Sequence, residues 1–443
     1  MPRLTPRPAQ WLILGVLALV LLGTLGLLQP AAHRGTLAWM DALLLATSAV
    51  CTTGLSSVNV AEVLTPAGQL WLAALIEFGA LALLVLAFGF VGLGRRGVVA
   101  RTRASRELGI GAGQDFRGLL RRVLALALGI QLLGFLLLLP DMVELEGAAT
   151  GTRYALLHSV MAFGNAGFGF WSDGVARLPA PSLLVLMALV VLGGIGFVTL
   201  DETERHLRGR WGRAIRPPRL STQTKVGLNI TGILLLGGAI LFAALEWQRP
   251  GTLGELGWRD KLLHAAFQTT VARSAGFATL DYGQLAAPTL LLIMALMFVG
   301  GNSGSTAGGI KTTTLAVLLA ATRAVLTGLS DVELSGRRVS GTLLMRALTV
   351  VTLALLAVGG GTLALMLTDG EQRSLALAFE AVSAFTTSGL SVNLTGQLSD
   401  AGKAVLVLLM FLGRVGFLSL LLAFRPAQPS YVRLPEEKEF TVG

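Results

Sequence analysis

Ser383-Ala384-Phe385-Thr386-Thr387-Ser388-Gly389-Leu390-Ser391 matches Ser48-Ala49-Val50-Cys51-Thr52-Thr53-Gly54-Leu55-Ser56 at six of nine positions. Two unrelated apolar segments seldom agree so closely, so the chain repeats itself. Weaker echoes lie between them, Gly164-Asn165-Ala166-Gly167-Phe168 and Arg273-Ser274-Ala275-Gly276-Phe277. The glycines stand at 54, 167, 276 and 389, separated by 113, 109 and 113 residues. A period this regular indicates one structural unit used four times, with a glycine loop as its common feature.

The composition says where such a unit lives. With 53% hydrophobic residues, 14% charged residues and 55 glycines, the chain is too apolar for a water-soluble globule and reads as an all-α polytopic membrane protein. Its net charge of +10 does not indicate a nucleic-acid partner, because the basic residues cluster between apolar spans. The single cysteine, Cys51, excludes a disulfide framework, and the four histidines lack metal-ligand spacing. With no nucleophile–base or paired-carboxylate constellation in the spans, an enzyme is not expected.

Outward from the loops, each unit has the same order: a full span, a half-length apolar segment, the glycine loop, and a second full span. In the first unit (1–94) these are 11–28, 37–50, the Gly54 loop and 70–93. A secretory signal would carry a shorter apolar region, and its removal would delete the first member of the repeat, so 11–28 is kept as a span. The second unit (123–200) gives 123–139, 154–163, the Gly167 loop and 183–200. The third (226–322) gives 226–245, 262–271, the Gly276 loop and an interrupted run over 288–321; the fourth (347–424) gives 347–367, 375–385, the Gly389 loop and 404–424. The expected architecture is eight spans in four parallel span/pore-helix/loop/span repeats around a pseudo-fourfold pore.

Two crossings per unit put both termini on one side. The linkers 95–122, 201–225 and 323–346 carry eight, six and four arginines, whereas connections within units include the acidic stretch Asp141-Met142-Val143-Glu144-Leu145-Glu146. The positive-inside rule places linkers, termini and the polar tail 425–443 in the cytoplasm and the glycine loops toward the outside.

A half-length helix that turns back through a Thr/Ser/Gly loop leaves carbonyls unpartnered at membrane depth, so the loop must line water or bind something. Four such loops around an axis offer the ring of oxygens that replaces the hydration shell of an alkali cation. Glycine takes φ > 0 cheaply and lets neighbouring carbonyls point inward, and the Thr53 and Ser388 hydroxyls are placed to add oxygens. The negative C-terminal ends of the half-helices favour a cation there.

On these loops the chain resembles the Trk/Ktr/HKT superfamily of potassium transporters along essentially its whole length, and within it the Ktr membrane subunits (KtrB). The resemblance implies a single-file potassium filter built from Thr52-Thr53-Gly54, Asn165-Ala166-Gly167, Ser274-Ala275-Gly276 and Thr387-Ser388-Gly389. It further implies potassium uptake across the bacterial plasma (inner) membrane, stimulation by sodium, and a homodimer with one pore per protomer. No cofactor is expected in this chain; nucleotide would bind only a cytosolic regulatory ring (KtrA-like) docked on the basic face. The competing reading is a secondary active transporter of another cation or small solute, which would need inverted repeats where these are parallel.

The interrupted third-unit run, Phe298-Val299-Gly300-Gly301-Asn302-Ser303-Gly304-Ser305-Thr306-Ala307-Gly308-Gly309-Ile310-Lys311, puts five glycines inside a membrane segment. A straight helix there would lose about 0.5–1 kcal/mol per glycine, so a break is expected. Lys311 beside it is expensive in lipid and is expected to face a water-filled vestibule. The resemblance implies an intramembrane gating loop over 300–310, formed with Gly300, Gly301, Asn302, Gly304, Gly308 and Gly309. A phosphate loop is not indicated, because no strand precedes it. Likewise Gly92-x-Gly94-x-x-Gly97 fits a dinucleotide pattern by letter only.

Arg414, in Phe411-Leu412-Gly413-Arg414-Val415-Gly416-Phe417, aligns with Gly194 of Gly193-Gly194-Ile195-Gly196-Phe197. It is either a buried arginine paired with a carbonyl or carboxylate, or a charge beneath the filter that tunes ion occupancy and anchors the gating loop. His158 and His264, in the half-helices, are expected to be packing or hydrogen-bonding residues, and Glu77 to be paired.

Overall fold

The computed structural model describes residues 8–93, 116–171, 174–211 and 218–416. Most of the 95–122 linker, Gly94 and Gly97, the end of the last span beyond 416 and the tail 425–443 lie outside the described residues.

Runs of Leu, Ala, Val and Met favour helix, and helices account for nearly every described element. The first quarter holds α1 (Pro8–Leu27), α2 (Trp39–Val50), the short α3 (Val60–Val63) and α4 (Pro66–Leu93). The second holds α5 (Phe116–Gly164), α6 (Ala180–Gly194) and α7 (Phe197–Trp211). The third holds α8 (Thr222–Glu246), α9 (Trp258–Val271), α10 (Ala287–Phe298) and α11 (Thr312–Leu326). After a small hairpin, β1 (Glu333–Leu334) with β2 (Arg337–Arg338), come α12 (Gly341–Thr368), α13 (Ser374–Phe385) and α14 (Asp400–Val415). Starts are marked by side-chain caps: Ser221, Ser340 and Ser399 accept from Thr224, Leu343 and Gly402 N–H groups.

Burial inverts the usual pattern. The short helices form the centre: every residue from Leu44 to Val50 of α2 is at most 1% exposed. The long helices instead turn leucines outward, among them Leu132, Leu133, Leu136 and Leu137 of α5 and Ile233, Leu236 and Ile240 of α8. Rows of exposed aliphatic side chains on helices apolar all round are stable against hydrocarbon and costly against water, which fits a multi-pass membrane protein.

One expectation needs correction. The second-quarter exit run 183–200 is not one helix: α6 ends at Gly194, and α7 leaves at 106° to it. Glycine explains the corner, because Gly196 takes φ 88. Gly416, its partner in the repeat alignment, ends α14 with φ 82. By length and composition, and among the described residues, three helices, α5, α8 and α12, pass as membrane-crossing by themselves, with the α6–α7 bent pair as a fourth. Conversely α5 joins two expected elements, 123–139 and 154–163, across a one-residue kink at Gly147 (φ 78).

An acidic group following a long apolar run recurs as a clamp on the start of a later helix, α6, α10 or α14. Asp141 accepts from the Ser182 hydroxyl at 2.6 Å, Glu246 from Ala286 N–H at 2.9 Å and the Thr289 hydroxyl at 2.5 Å, and Asp369 from Ser399 N–H at 2.7 Å. Each carboxylate sits where the N-terminal dipole of that helix favours negative charge.

Candidate functional site

In all four glycine loops the residue two before the glycine is left-handed: Thr52 (φ 52), Asn165 (φ 55), Ser274 (φ 76) and Thr387 (φ 49). None is glycine, and a non-glycine residue there stores on the order of 1–3 kcal/mol, held by its surroundings. Three of the loops hold it in the same way. Thr52 and Thr53 N–H bond to Ala49 O (3.0 Å) and Ser48 O (2.7 Å), Asn165 and Ala166 to Ala162 O (3.3 Å) and Met161 O (2.9 Å), Thr387 and Ser388 to Ala384 O (3.1 Å) and Ser383 O (2.8 Å). This pair of bonds is the Schellman closure of a helix end. The third loop lacks it: Ala275 N–H reaches only back to Val271 O (2.9 Å) and Arg273 N–H to Thr270 O (3.2 Å).

The glycines themselves differ from expectation at one place. Gly54, Gly276 and Gly389 take φ 96, 74 and 84, but Gly167 does not have a positive φ. What Gly167 supplies is room, since a Cβ on it would lie 2.2 Å from Ala275 O. The same construction shows how the loops meet. A Cβ on Gly54 would lie 2.9 Å from Gly167 N, one on Gly276 3.1 Å from Ser388 O, and one on Gly389 2.0 Å from Thr53 O. The contacts run from loop one to two to three to four and back to one, so segments more than a hundred residues apart close into a ring of bare backbone.

Around this ring, among the described residues, the carbonyls of Thr53, Gly54, Gly167, Ala275, Gly276, Ser388 and Gly389 accept no hydrogen bond. Leaving buried acceptors unpaired costs about 1–3 kcal/mol apiece, a cost that a cation or water at the ring removes. Thr53 Oγ1 is buried and also has no partner, whereas the Ser388 hydroxyl is committed to Ala272 O at 3.1 Å.

Beneath the ring lies the 299–311 break. Val299 and Ile310 form a parallel bridge, with Gly300 N–H on Ile310 O and Ile310 N–H on Phe298 O, both at 3.0 Å. Gly300 has to be glycine because a Cβ would stand 1.8 Å from Gly308 O. The loop so closed touches all four left-handed residues. Thr52 Oγ1 donates to Thr306 O (3.2 Å), Asn165 Nδ2 to Thr306 Oγ1 (2.8 Å), and Gly308 N–H to Ser274 Oγ (3.1 Å). Gly308 also packs under Thr387, whose Oγ1 would be 2.1 Å from an added Cβ. Strain at those four positions thus coincides with contacts to one loop.

The two breaks interlock. Asn302 N–H bonds to Gly194 O at 2.9 Å and its Nδ2 to Ile195 O at 3.1 Å, while Phe197 N–H bonds to Gly304 O at 2.9 Å. Arg414 is 6% exposed and donates to Thr306 O at 2.5 Å and Gly79 O at 2.7 Å. Its partners are carbonyls, and it ties α14 and α4 to the tip of the loop.

The family follows from comparison with known proteins. A family model described as TrkH, cation transport protein, matches residues 8–433. The chain belongs to the TrkH cation transport protein family. It is 33% identical over 440 residues to the Ktr system potassium uptake protein B of Bacillus subtilis, covering 98% of this chain and 96% of that protein. It is 34% identical to the Vibrio alginolyticus protein of the same description (96% and 94%) and to the potassium/sodium uptake protein NtpJ of Enterococcus hirae (97% and 96%). The crystal structure of the potassium transporter TrkH from Vibrio parahaemolyticus superposes with TM-score 0.73 at 19% identity, covering 94% of this chain and 84% of that one, which shows a shared fold. Members of this family are ion transporters and not enzymes.

Within this TrkH-family chain, the twelve filter residues expected from sequence come together at one ring, and the six gating residues at 300–309 lie in one loop below it. Lys311 ends that loop, partly buried, its ammonium on Ala307 O at 2.6 Å. Sequence reasoning missed Thr306, on which loops one and two, Gly193 and Arg414 all converge. Nothing set it apart from the neighbouring hydroxyls. It also missed that Arg273 donates to Gly300 O at 2.9 Å, although an arginine beside a Ser-Ala-Gly loop was a visible anomaly. Outside the ring, Glu77 accepts from Gln131 Nε2 at 2.9 Å, His264 Nδ1 pairs with Thr279 Oγ1 at 2.7 Å, and His158 packs among Tyr154, Phe170, Trp171 and Phe277.

Proposed function

We propose that this protein takes up potassium through the ring formed by Thr52-Thr53-Gly54, Asn165-Ala166-Gly167, Ser274-Ala275-Gly276 and Thr387-Ser388-Gly389, with the 300–310 loop as its gate. The observation that carries the reading is the closed chain of backbone contacts among Gly54, Gly167, Gly276 and Gly389, edged by carbonyls without partners. Bare carbonyls inside a membrane protein suit a dehydrated alkali cation. Potassium is the cation chosen because relatives matched over nearly the whole chain are described as potassium uptake proteins. The four similar segments, taken as parallel repeats bounded at 1–94, 123–200, 226–322 and 347–424, supply the pseudo-fourfold plan and eight crossings, two of them broken by glycine.

The loop blocks the pathway in the described conformation by sitting under all four left-handed residues. Arg414 then acts by holding Thr306 O, so its charge serves the closed loop as well as repelling ions near it. The same reading places both termini and the arginine-rich linkers in the cytoplasm of a bacterial plasma membrane, with two protomers, two pores, and a nucleotide-binding ring on the basic face. Sodium enters as a stimulating or co-permeating ion, a reading favoured by the unequal side chains of the loops and by the Enterococcus hirae relative described as a potassium/sodium uptake protein.

Rubidium flux into proteoliposomes tests this. The expected outcome is flux down its gradient that discriminates against sodium and is lost in Gly389→Ser. Flux strictly coupled to protons and an organic solute would sink the filter reading.

A further inference from the structure

We propose that Arg273 is a positioning residue that latches the gating loop to the filter, so that the third filter loop and the 300–310 loop shift together; this rests on the pore reading above.

Arg273 directly precedes Ser274-Ala275-Gly276 and is 7% exposed. Its Nη2 donates to Gly300 O at 2.9 Å and to Thr231 Oγ1 at 3.4 Å. Among the described residues it has no carboxylate partner, and its Nε is buried without any. It borders a small cavity lined also by Gly194, Thr231, Thr270 and Gly301. A buried guanidinium with so few acceptors is expensive, so the carbonyl it holds matters to its position.

The next residue holds the other limb. Ser274 Oγ accepts from Gly308 N–H at 3.1 Å and donates to Thr386 O at 3.0 Å. Two consecutive residues of one filter loop therefore grip the outgoing strand at Gly300 and the returning strand at Gly308. The Val299–Ile310 bridge makes these strands one body. Arg414 grips the far tip at Thr306 from a different quarter and touches no filter residue through that contact.

The third loop is also the one without the paired Schellman bonds, so it is the loop whose backbone has fewest restraints of its own. Withdrawal of the gating loop must either break the contacts of Arg273 and Ser274 or drag the carbonyls of Ser274 to Gly276 with it. In both cases gate position and ion coordination are coupled, and coupling of this kind is reciprocal.

The test uses the full-length protein in proteoliposomes without cytosolic partner, reading basal rubidium flux and the rubidium-to-sodium flux ratio. Arg273→Gln, which removes the charge, should raise basal flux roughly tenfold and lower the ratio, because the closed state loses a charge-assisted bond. Arg273→Lys, which keeps one donor but not the guanidinium fork, should give an intermediate, few-fold rise in basal flux and a ratio between those of Arg273→Gln and wild type. Conducting wild type with an Arg273→Gln variant of unchanged flux and ratio overturns the latch, as does reduced flux at an unchanged ratio. If Arg273→Gln does not fold, Arg273→Lys at wild-type melting temperature decides: a few-fold rise in flux supports the latch, and no change overturns it. Absence of flux in the wild type would overturn the pore reading itself and is thereby distinguishable.

Discussion

In the fourth loop, Thr387 and Ser388 close α13 with a pair of backbone bonds and the ring glycine is jammed against Thr53 O, whereas in the third loop the pair is missing and Gly276 has more room. The sequence differs in step with this. Loops one and four share six of nine residues, but loop three puts Arg273 where loops one and four have Cys51 and Thr386. What the third loop lacks in self-closure it regains through Arg273 and Ser274 on the 300–310 loop. A loop closed by its own helix holds its place independently; a loop held by a separate segment takes its position from that segment.

The largest expected consequence is in the glycines. Gly389→Ala adds a Cβ 2.0 Å from Thr53 O at φ 84 and should abolish rubidium flux, because both the contact and the backbone region oppose it. Gly276 is left-handed like Gly389, at φ 74, but its nearest atom is 3.1 Å away and a shift of a few tenths of an ångström relieves that contact. This leaves the backbone penalty alone, so Gly276→Ala should retain measurable flux with weaker discrimination against sodium. Equal loss of flux in the two variants would break the comparison. Gly167→Ala separates the two causes: without a positive φ, its penalty comes only from the 2.2 Å approach to Ala275 O.

The proposed gate at 300–310 gives the next effect. Gly308→Ala pushes a methyl into Thr387 Oγ1 (2.1 Å) and Thr386 O (2.6 Å), lifting the loop from the fourth wall. Its basal flux should rise several-fold. Gly304 has nothing within 4 Å and only its φ of 74 to oppose a side chain, so Gly304→Ala should cost roughly 1–2 kcal/mol of stability and leave basal flux near wild type. A third measurement compares serines by thermal unfolding of the purified protein. Ser274→Ala strands Gly308 N–H and Thr386 O, whereas Ser388→Ala strands Ala272 O alone, so about 1–3 kcal/mol per stranded group makes the first variant the less stable.

Much of the ring and of the break beside it is legible in the amino-acid sequence itself. The repeat locates Gly54, Gly167, Gly276 and Gly389, because a glycine loop after a half-length apolar segment is a local pattern. The break after Phe298 is legible for the same reason, since five glycines within 300–309 forbid a steady helix. The corner at Gly196 is equally spelled out by Gly193-Gly194-Ile195-Gly196, yet mean apolarity through 200 hides it. By contrast, the roles of Thr306 and Arg414 depend on partners 141 and 108 residues away or more, as in Asn165 to Thr306 and Arg414 to Thr306. Long-range pairing of that kind leaves no periodic trace in one sequence. The left-handed Thr52, Ser274 and Thr387 are hidden too, because threonine and serine are poor markers of φ > 0 and the strain is sustained by contacts below them.

The smallest effect lies where α10 and α14 of the same two quarters begin. Glu246, fully buried, clamps the start of α10, while Asp369 clamps the start of α14 from a more open position. Burial alone would raise the Asp369 carboxyl, but the Ser399 N–H and the Thr368 and Ser399 hydroxyls outweigh it and hold the group below the usual carboxylate range. A lowered folded-state value means the native state binds this proton less readily than the unfolded chain does. The contribution is therefore complete above the ordinary value of about 4 and is lost as pH falls through the folded-state value. Melting temperature followed from pH 6 downward should decline less steeply for Asp369→Asn than for wild type, with the curves converging at the acid end. Parallel curves would show that the fourth-quarter clamp holds α14 without help from its charge.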